Sequence, residues 1–108
     1  MNAVYWQKGE TLDYTPEESV SFGSVVNLTT RIGIAAEDIP ANTKGSVHMD
    51  GVFALTKAPS ESIALGAAVY YVAESDHITA TQGANVPAGY AVQKAETEDT
   101  TVLVKLLG

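Results

Sequence analysis

The chain has 108 residues, of which 45% are hydrophobic and 18% are charged, and its formal net charge is −7. That length predicts one domain, and no apolar run approaches the roughly 18 residues that a membrane-spanning helix needs. The six basic residues are scattered singly, so we expect no nucleic-acid or membrane partner, because such partners are held by clustered Lys and Arg.

Residues 1–10 precede the first predicted strand and are interpreted as an N-terminal arm, which leaves 11–108 as a single β domain. The arm has no basic-then-apolar pattern of a signal peptide, so secretion by that route is not expected. It contains Tyr5 and Trp6, and these are the residue types that most often anchor interfaces. The arm either folds back onto its own domain or adds a strand to an exposed sheet edge of a neighbouring chain.

From Thr11 onward, short runs rich in Val, Ile, Tyr and Thr are separated by Gly, Pro, Asn or Asp. This pattern predicts an all-β domain, a small barrel or sandwich of about 8–10 short, mostly antiparallel strands. The predicted strands are Thr11–Tyr14, Ser19–Phe22, Val25–Leu28, Arg31–Ala35, Gly45–Met49, Val52–Thr56, Ala67–Ala73, His77–Ala80, Gly89–Lys94 and Thr101–Leu107.

The connections carry their own signals. Asp50–Gly51 is typical of a type I′ hairpin between two adjacent strands, and 74–76 predicts a second tight turn. Pro59 and Gly66 bracket the only segment that could be helical, with at most one turn near 59–65. Apolar residues on both faces of 101–107 indicate a central strand or one covered by a partner.

The sequence contains no recognisable active site, so we expect no catalytic residue, no cofactor and no metal. His48 and His77 each lie in a predicted strand with no motif around them, and a hydrolase using His48 with Asp50 is a remote alternative. The acidic pairs lack the spacing of a calcium loop and are interpreted as solvated loop charges. Because Cys is absent, disulfides and thiolate metal sites are excluded.

Nearly the whole chain resembles the small phage head-decoration, or capsid cement, proteins, a family long known only as a domain of unknown function. No single motif is decisive, but their order and spacing together are specific; Ser24 and Thr56 depart from the pattern. The resemblance is carried by the segments Tyr5–Tyr14 (YWQKGETLDY), Val20–Val26, Arg31–Ala35, Ile39–Gly45, Asp50–Leu55, Leu65–Tyr71, Ile78–Thr79, Pro87–Val92 and Val102–Leu106.

This resemblance implies a structural protein, not an enzyme, that binds the outer surface of the phage head and stabilises the expanded shell. Its implied partners are the major capsid protein and further copies of itself, with a trimer favoured. Its implied location is the virion, after assembly in the host cytoplasm.

We expect Tyr5, Trp6 and Tyr14 to be the contacts with the capsid or with other copies, and Val52, Phe53 and Tyr70 to be core. A competing hypothesis is a small β-barrel recognition module that binds host-surface carbohydrate or protein. Its stacking platform would be formed by Trp6, Tyr70, Tyr71 and Tyr90.

Overall fold

The structure is a computed structural model that describes residues 1–5, 7 and 9–106. Nine strands and no helix occur in this part of the chain, which confirms the all-β prediction. The strands are β1 (Thr11–Tyr14), β2 (Val25–Asn27), β3 (Ile32–Ala35), β4 (Gly45–His48), β5 (Val52–Thr56), β6 (Ala68–Val72), β7 (His77–Thr79), β8 (Val86–Ala91) and β9 (Thr101–Leu106).

The strands form two antiparallel sheets. The four-stranded sheet has the order β1-β4-β3-β2, and the five-stranded sheet has the order β5-β9-β8-β6-β7. Strand β9 therefore lies inside its sheet, as its two apolar faces predict. The predicted strand Ser19–Phe22 is wrong, because only Val20 pairs there, as a single bridge to Ile39.

The two edge strands of the five-stranded sheet, β5 and β7, meet at one end only. A parallel bridge joins Lys57 to Ile78, and the Ala58 N–H donates to the Ile78 carbonyl at 2.8 Å. Over Val52–Thr56 the two edges separate, and the sheet does not close. Of the two predicted architectures, the sandwich fits and the closed barrel does not.

Strand β3 is buried on both faces. Ile32 and Ile34 point into the main core between the sheets, together with residues such as Val104. Ala35 points the opposite way, into a second core around Ile39 and other residues that cover the outer face of the four-stranded sheet. Alternation along one strand therefore supplies both cores.

Gly33 lets the second core pack closely against β3. A Cβ atom at Gly33 would overlap the Val47 side chain and lie 2.9 Å from the Met49 sulfur. Residues 15–22 and 36–44 close over this core, since Val20 and Ile39 exchange backbone hydrogen bonds of 2.8 and 2.7 Å.

The prediction of a hairpin at Asp50–Gly51 is wrong. Strand β4 pairs with β1 and β3, whereas β5 pairs with β9, so the turn carries the chain from one sheet to the other. Gly51 has a φ of 103°, but Asp50 does not have the positive φ that a type I′ turn requires. The predicted turn at 74–76 does connect two paired strands, β6 and β7.

Strand β8 contains a β-bulge, where its register with β6 shifts between Val69 and Tyr70. Gly89 follows the bulge with a φ of 154°, and its Cα lies against the backbone of β9. A Cβ atom there would overlap the Lys105 carbonyl oxygen. Only glycine fits this position, because a backbone atom cannot move aside as a flexible side chain can.

No helix in the described ranges is both long enough and apolar enough to cross a membrane.

We predict that Gly89→Ala destabilises the protein by about 3 kcal/mol or more, because it combines an unfavourable φ with a backbone overlap. Gly66→Ala is the matched control. Gly66 has a φ of 83° but nothing within 4 Å of its missing Cβ, so this change should cost only about 1–2 kcal/mol. Urea unfolding measures both, and equal losses would contradict the proposed overlap.

Candidate interaction site

The predicted contact residues differ in exposure. Residues 1–5 are all exposed, and the Tyr5 side chain keeps 78% of its accessible surface. Trp6 lies outside the described residues. Tyr14 is half-buried on β1 and packs against the second core, so part of its side chain has a role within the domain.

The arm leaves the domain at a fixed corner. The Glu10 carbonyl accepts a 2.8 Å hydrogen bond from the Met49 N–H, and Thr11 pairs with His48 in the ladder between β1 and β4. The same corner contains Asp50–Gly51, where the chain enters β5. The root of the arm therefore lies beside the first residues of β5.

A groove runs beside β5 at this corner. Two adjoining cavities of about 520 and 290 Å³ share Gly23, Ala54 and Leu55 as lining residues. The smaller cavity is the apolar end of the groove, lined by Phe22, Ile34, His48 and Phe53 among others. The larger is the polar end, lined by Ser24, Tyr71, Asp76 and His77 among others. We call this feature the β5 groove.

Two aromatic residues and a histidine shape the apolar end of the β5 groove. The His48 and Phe53 rings lie 5.9 Å apart, centre to centre, at an angle of 37°. Phe22 sits at the rim with 70% of its surface exposed, in a turn held by a 2.8 Å bond from its N–H to the Asp38 carboxylate. This groove was not predicted from the sequence.

At the polar end, the Tyr71 hydroxyl donates a 2.7 Å hydrogen bond to the Asp76 carboxylate. Burial, reinforced by this hydrogen bond and by the Asp76 charge, raises the pKa of Tyr71 to about 12. The neutral phenol is therefore the stable form, and it supports the turn between β6 and β7. Tyr71 is a structural residue of the groove wall.

The three tyrosines of the predicted carbohydrate platform do not share one surface, because Tyr71 is buried while Tyr70 and Tyr90 lie on the outer face of the sheet. Tyr71 is 7% exposed and belongs to the main core, while its neighbour Tyr70 is half-buried and points to the opposite face of β6. Tyr90 is 40% exposed on the outer face of the sheet. The prediction of Val52 as core is also wrong, because 53% of its surface is exposed, whereas Phe53 does pack against the main core.

The outer face of the five-stranded sheet carries no acidic residue. Val52, Lys105, Tyr90 and Ala68 form one row across β5, β9, β8 and β6. Leu103, 36% exposed, lies in the neighbouring row. None of the described outward positions on these four strands is Asp or Glu, although the chain has 13 acidic residues. We call this surface the acid-free face.

No cluster of three or more His, Asp or Glu side chains able to hold a metal occurs among the described residues. In the same part of the chain, no hydrogen bond or ion pair links His48 to Asp50, so the dyad considered from the sequence is not assembled.

One cation, Lys57, is buried. Its ammonium group donates to the Ala58 and Glu61 carbonyls at 2.9 and 2.5 Å. The Glu61 carboxylate accepts from the Thr79 hydroxyl and the Ala80 N–H, so this polar cluster fastens the loop after β5 to the end of β7.

Comparison with known proteins identifies the family. The family model described as phage cement protein matches residues 6–106 of the chain. Because that match covers nearly the whole length, the chain belongs to the phage cement protein family, and its role is that of a structural component of the phage capsid. No curated protein and no solved structure gives a significant match.

We predict that Tyr71→Phe flattens the loss of stability at high pH. The folded state holds the Tyr71 proton more tightly than the unfolded chain does, because its pKa is raised from 10.0 to about 12. Stability linked to this proton is complete below pH 10 and is lost as the pH rises toward 12. Urea unfolding at pH 9 and pH 11 should show a larger loss for the natural chain than for Tyr71→Phe, and equal losses would contradict this.

Proposed function

We propose that this phage cement protein binds the outer surface of the head, contacts the major capsid protein and neighbouring copies of itself, and stabilises the expanded shell. The observation that supports this most directly is the exposed arm. Residues 1–5 are all exposed, yet the segment Val4–Trp6 is apolar and aromatic. Such residues gain free energy when a partner covers them.

Charge favours the outer surface over the interior of the head. The chain carries a net charge of −7, and packaged DNA is strongly negative, so the two repel each other. Acidic side chains also keep free copies apart in solution. Contacts with the shell then form through the regions that lack acidic residues.

The arm and the acid-free face are two regions of this kind. Residues 1–9 contain Lys8 and no Asp or Glu, and the acid-free face carries Lys105 as its charged residue. Tyr5 and Trp6 are the proposed anchors in the arm, and we propose that the exposed edge of Tyr14 adds to the contact beside β1. The remainder of the chain, 11–108, acts as one rigid β unit that presents them.

The proposed mechanism is mechanical. Copies occupy seams between capsid subunits and make contacts that exist only in the expanded lattice, so opening the shell requires those contacts to break. Each contact is weak, but repetition over the shell multiplies weak contacts into strong retention. Binding of the folded form also stabilises a small domain against unfolding.

We predict that deleting residues 2–9 reduces co-sedimentation with expanded empty shells by about tenfold or more, while the domain stays folded. Glu10 is kept because its carbonyl accepts the Met49 N–H. The natural chain should sediment with expanded shells and not with unexpanded ones. Circular dichroism verifies the fold, and imaging of the decorated shells locates the added density.

Point variants sharpen this experiment. Tyr5→Ala removes an exposed aromatic side chain from the arm, whereas Leu65→Ala removes a side chain of comparable exposure, 68%, from a loop of the domain. We expect shell binding to fall for Tyr5→Ala and to be retained for Leu65→Ala. Full binding by the deletion variant would exclude the arm as the contact, and binding of glycans with no affinity for shells would refute the cement role.

A further inference from the structure

We infer that the β5 groove receives the arm of a second copy of the chain, which adds a strand to the open edge of β5. This deepens the proposed function and relies on its assignment of the arm as a contact element. It names the partner of the arm as another cement protein and gives the site at which the two copies join.

The edge of β5 has unused backbone groups. The Leu106 N–H donates to the Gly51 carbonyl and the Lys57 N–H donates to the Thr100 carbonyl, so the odd-numbered residues of β5 face β9. Antiparallel pairing alternates, and the N–H and C=O groups of Val52 and Ala54 therefore point away from β9. No described strand lies against that side of Val52–Ala54.

The neighbouring strand supports this assignment. Leu103 of β9 lies opposite Ala54 of β5. Its carbonyl accepts a 3.0 Å hydrogen bond from the Val92 N–H on the other side of β9, so it faces away from β5 and does not pair with Ala54. Ala54 is exposed and lines both cavities of the β5 groove. An unpaired edge beside a groove is the arrangement to which an extended peptide adds as a further strand.

The arm has the length and composition of that strand. Nine extended residues span about 30 Å, and the five residues of β5 span about 17 Å, so the arm can cross from one copy and still run along the edge. Val4, Tyr5 and Trp6 are strong strand formers. Because side chains alternate along a strand, either Tyr5 or the pair Val4 and Trp6 would face the apolar end of the groove, where Phe22 is left 70% exposed.

Charge complementarity favours the arm as the occupant. The polar end of the groove carries Asp76, whereas residues 1–9 carry Lys8 and no acidic residue. Other stretches without Asp or Glu lie within the folded domain, whereas the arm is an exposed segment that can bring a positive charge to Asp76. The occupant belongs to a second copy because residues 1–5 of the same chain stay exposed, although the arm begins beside its own groove.

A peptide experiment tests strand addition without shells. A labelled peptide of residues 1–9 is titrated into the protein lacking residues 2–9. Two further peptides of the same sequence carry backbone N-methyl groups, which remove the N–H donors. One is methylated at Val4 and Trp6, and the other at Tyr5 and Gln7. Because an added strand uses the N–H of alternate residues, only one of the two should lose affinity, by about tenfold or more. Equal affinities for the three peptides would overturn strand addition.

Matched variants locate the site. Phe22→Ala and Leu65→Ala each remove a large exposed side chain, with 70% and 68% of its surface accessible, and only the first lies at the β5 groove. We expect Phe22→Ala to weaken peptide binding about fivefold or more and Leu65→Ala to leave it unchanged. An equal effect of the two would show that the peptide binds elsewhere.

Cross-linking separates exchange between copies from folding back. The chain has no natural Cys, so Tyr5→Cys and Ala54→Cys chains can be mixed and treated with a short bismaleimide. A covalent dimer between the Tyr5→Cys chain and the Ala54→Cys chain supports exchange. Ala41→Cys, at an exposed position away from the groove, is the control and should give no dimer with the Tyr5→Cys chain. No dimer at the highest soluble concentration, or linkage only within a Tyr5→Cys/Ala54→Cys double variant, overturns it.

The shell experiment distinguishes the two proposals. If the natural chain sediments with expanded shells but fails the peptide and cross-linking tests, arm exchange is wrong and the cement role stands. If peptide binding and cross-linking succeed but no variant binds shells, the proposed outer-surface role is wrong.

Discussion

Burial of strand β3 on both faces fixes how the two sheets and the two cores fit together. Ile32 and Ile34 fill the space between the sheets, while Gly33 leaves room for Val47 and Met49 on the other side. Loss of either set of contacts would uncouple the four-stranded sheet from what covers it. The position of the arm depends on the same strand, because β3 holds β4, and β4 holds β1 at the root of the arm.

Local sequence patterns predicted the strands but not how they pair. Nine of the ten predicted segments overlap an observed strand, since alternation and turn residues are local signals. The predicted strand Gly89–Lys94 is displaced from β8, which begins at Val86 and ends at Ala91, and the bulge in β8 lies beside Pro87, a residue that strands otherwise tolerate poorly. Asp50–Gly51 was correctly identified as a turn, but turn propensity does not show whether the flanking strands share a sheet.

The candidate site was less predictable for the same reason. The β5 groove lies between residues 22–24, β5 and 71–78, and long-range pairing alone brings these segments together. Val52 and Phe53 were both expected in the core, but adjacent strand residues lie on opposite faces, and the face of Val52 is exposed. The arm was identified from the sequence, but the sequence left open whether it folds back onto the domain, and residues 1–5 are exposed. The packing of Tyr14 was not predictable, because its contact with the second core depends on the loops that cover that core.

The negative charge of each copy opposes arm exchange between free copies, and this balance suits a protein that assembles on a shell. An arm that enters a neighbour's groove is a head-to-tail contact, which forms a closed ring or an open chain according to the rotation between copies. One strand and a few side chains bury much less than the roughly 800 Å² per partner of a stable interface, so such a contact is weak alone. Repulsion between copies of charge −7 weakens it further in solution. On a shell, neighbouring copies are already held at fixed distances, so the effective concentration of each arm near a groove is high and the exchange that is weak in solution becomes strong.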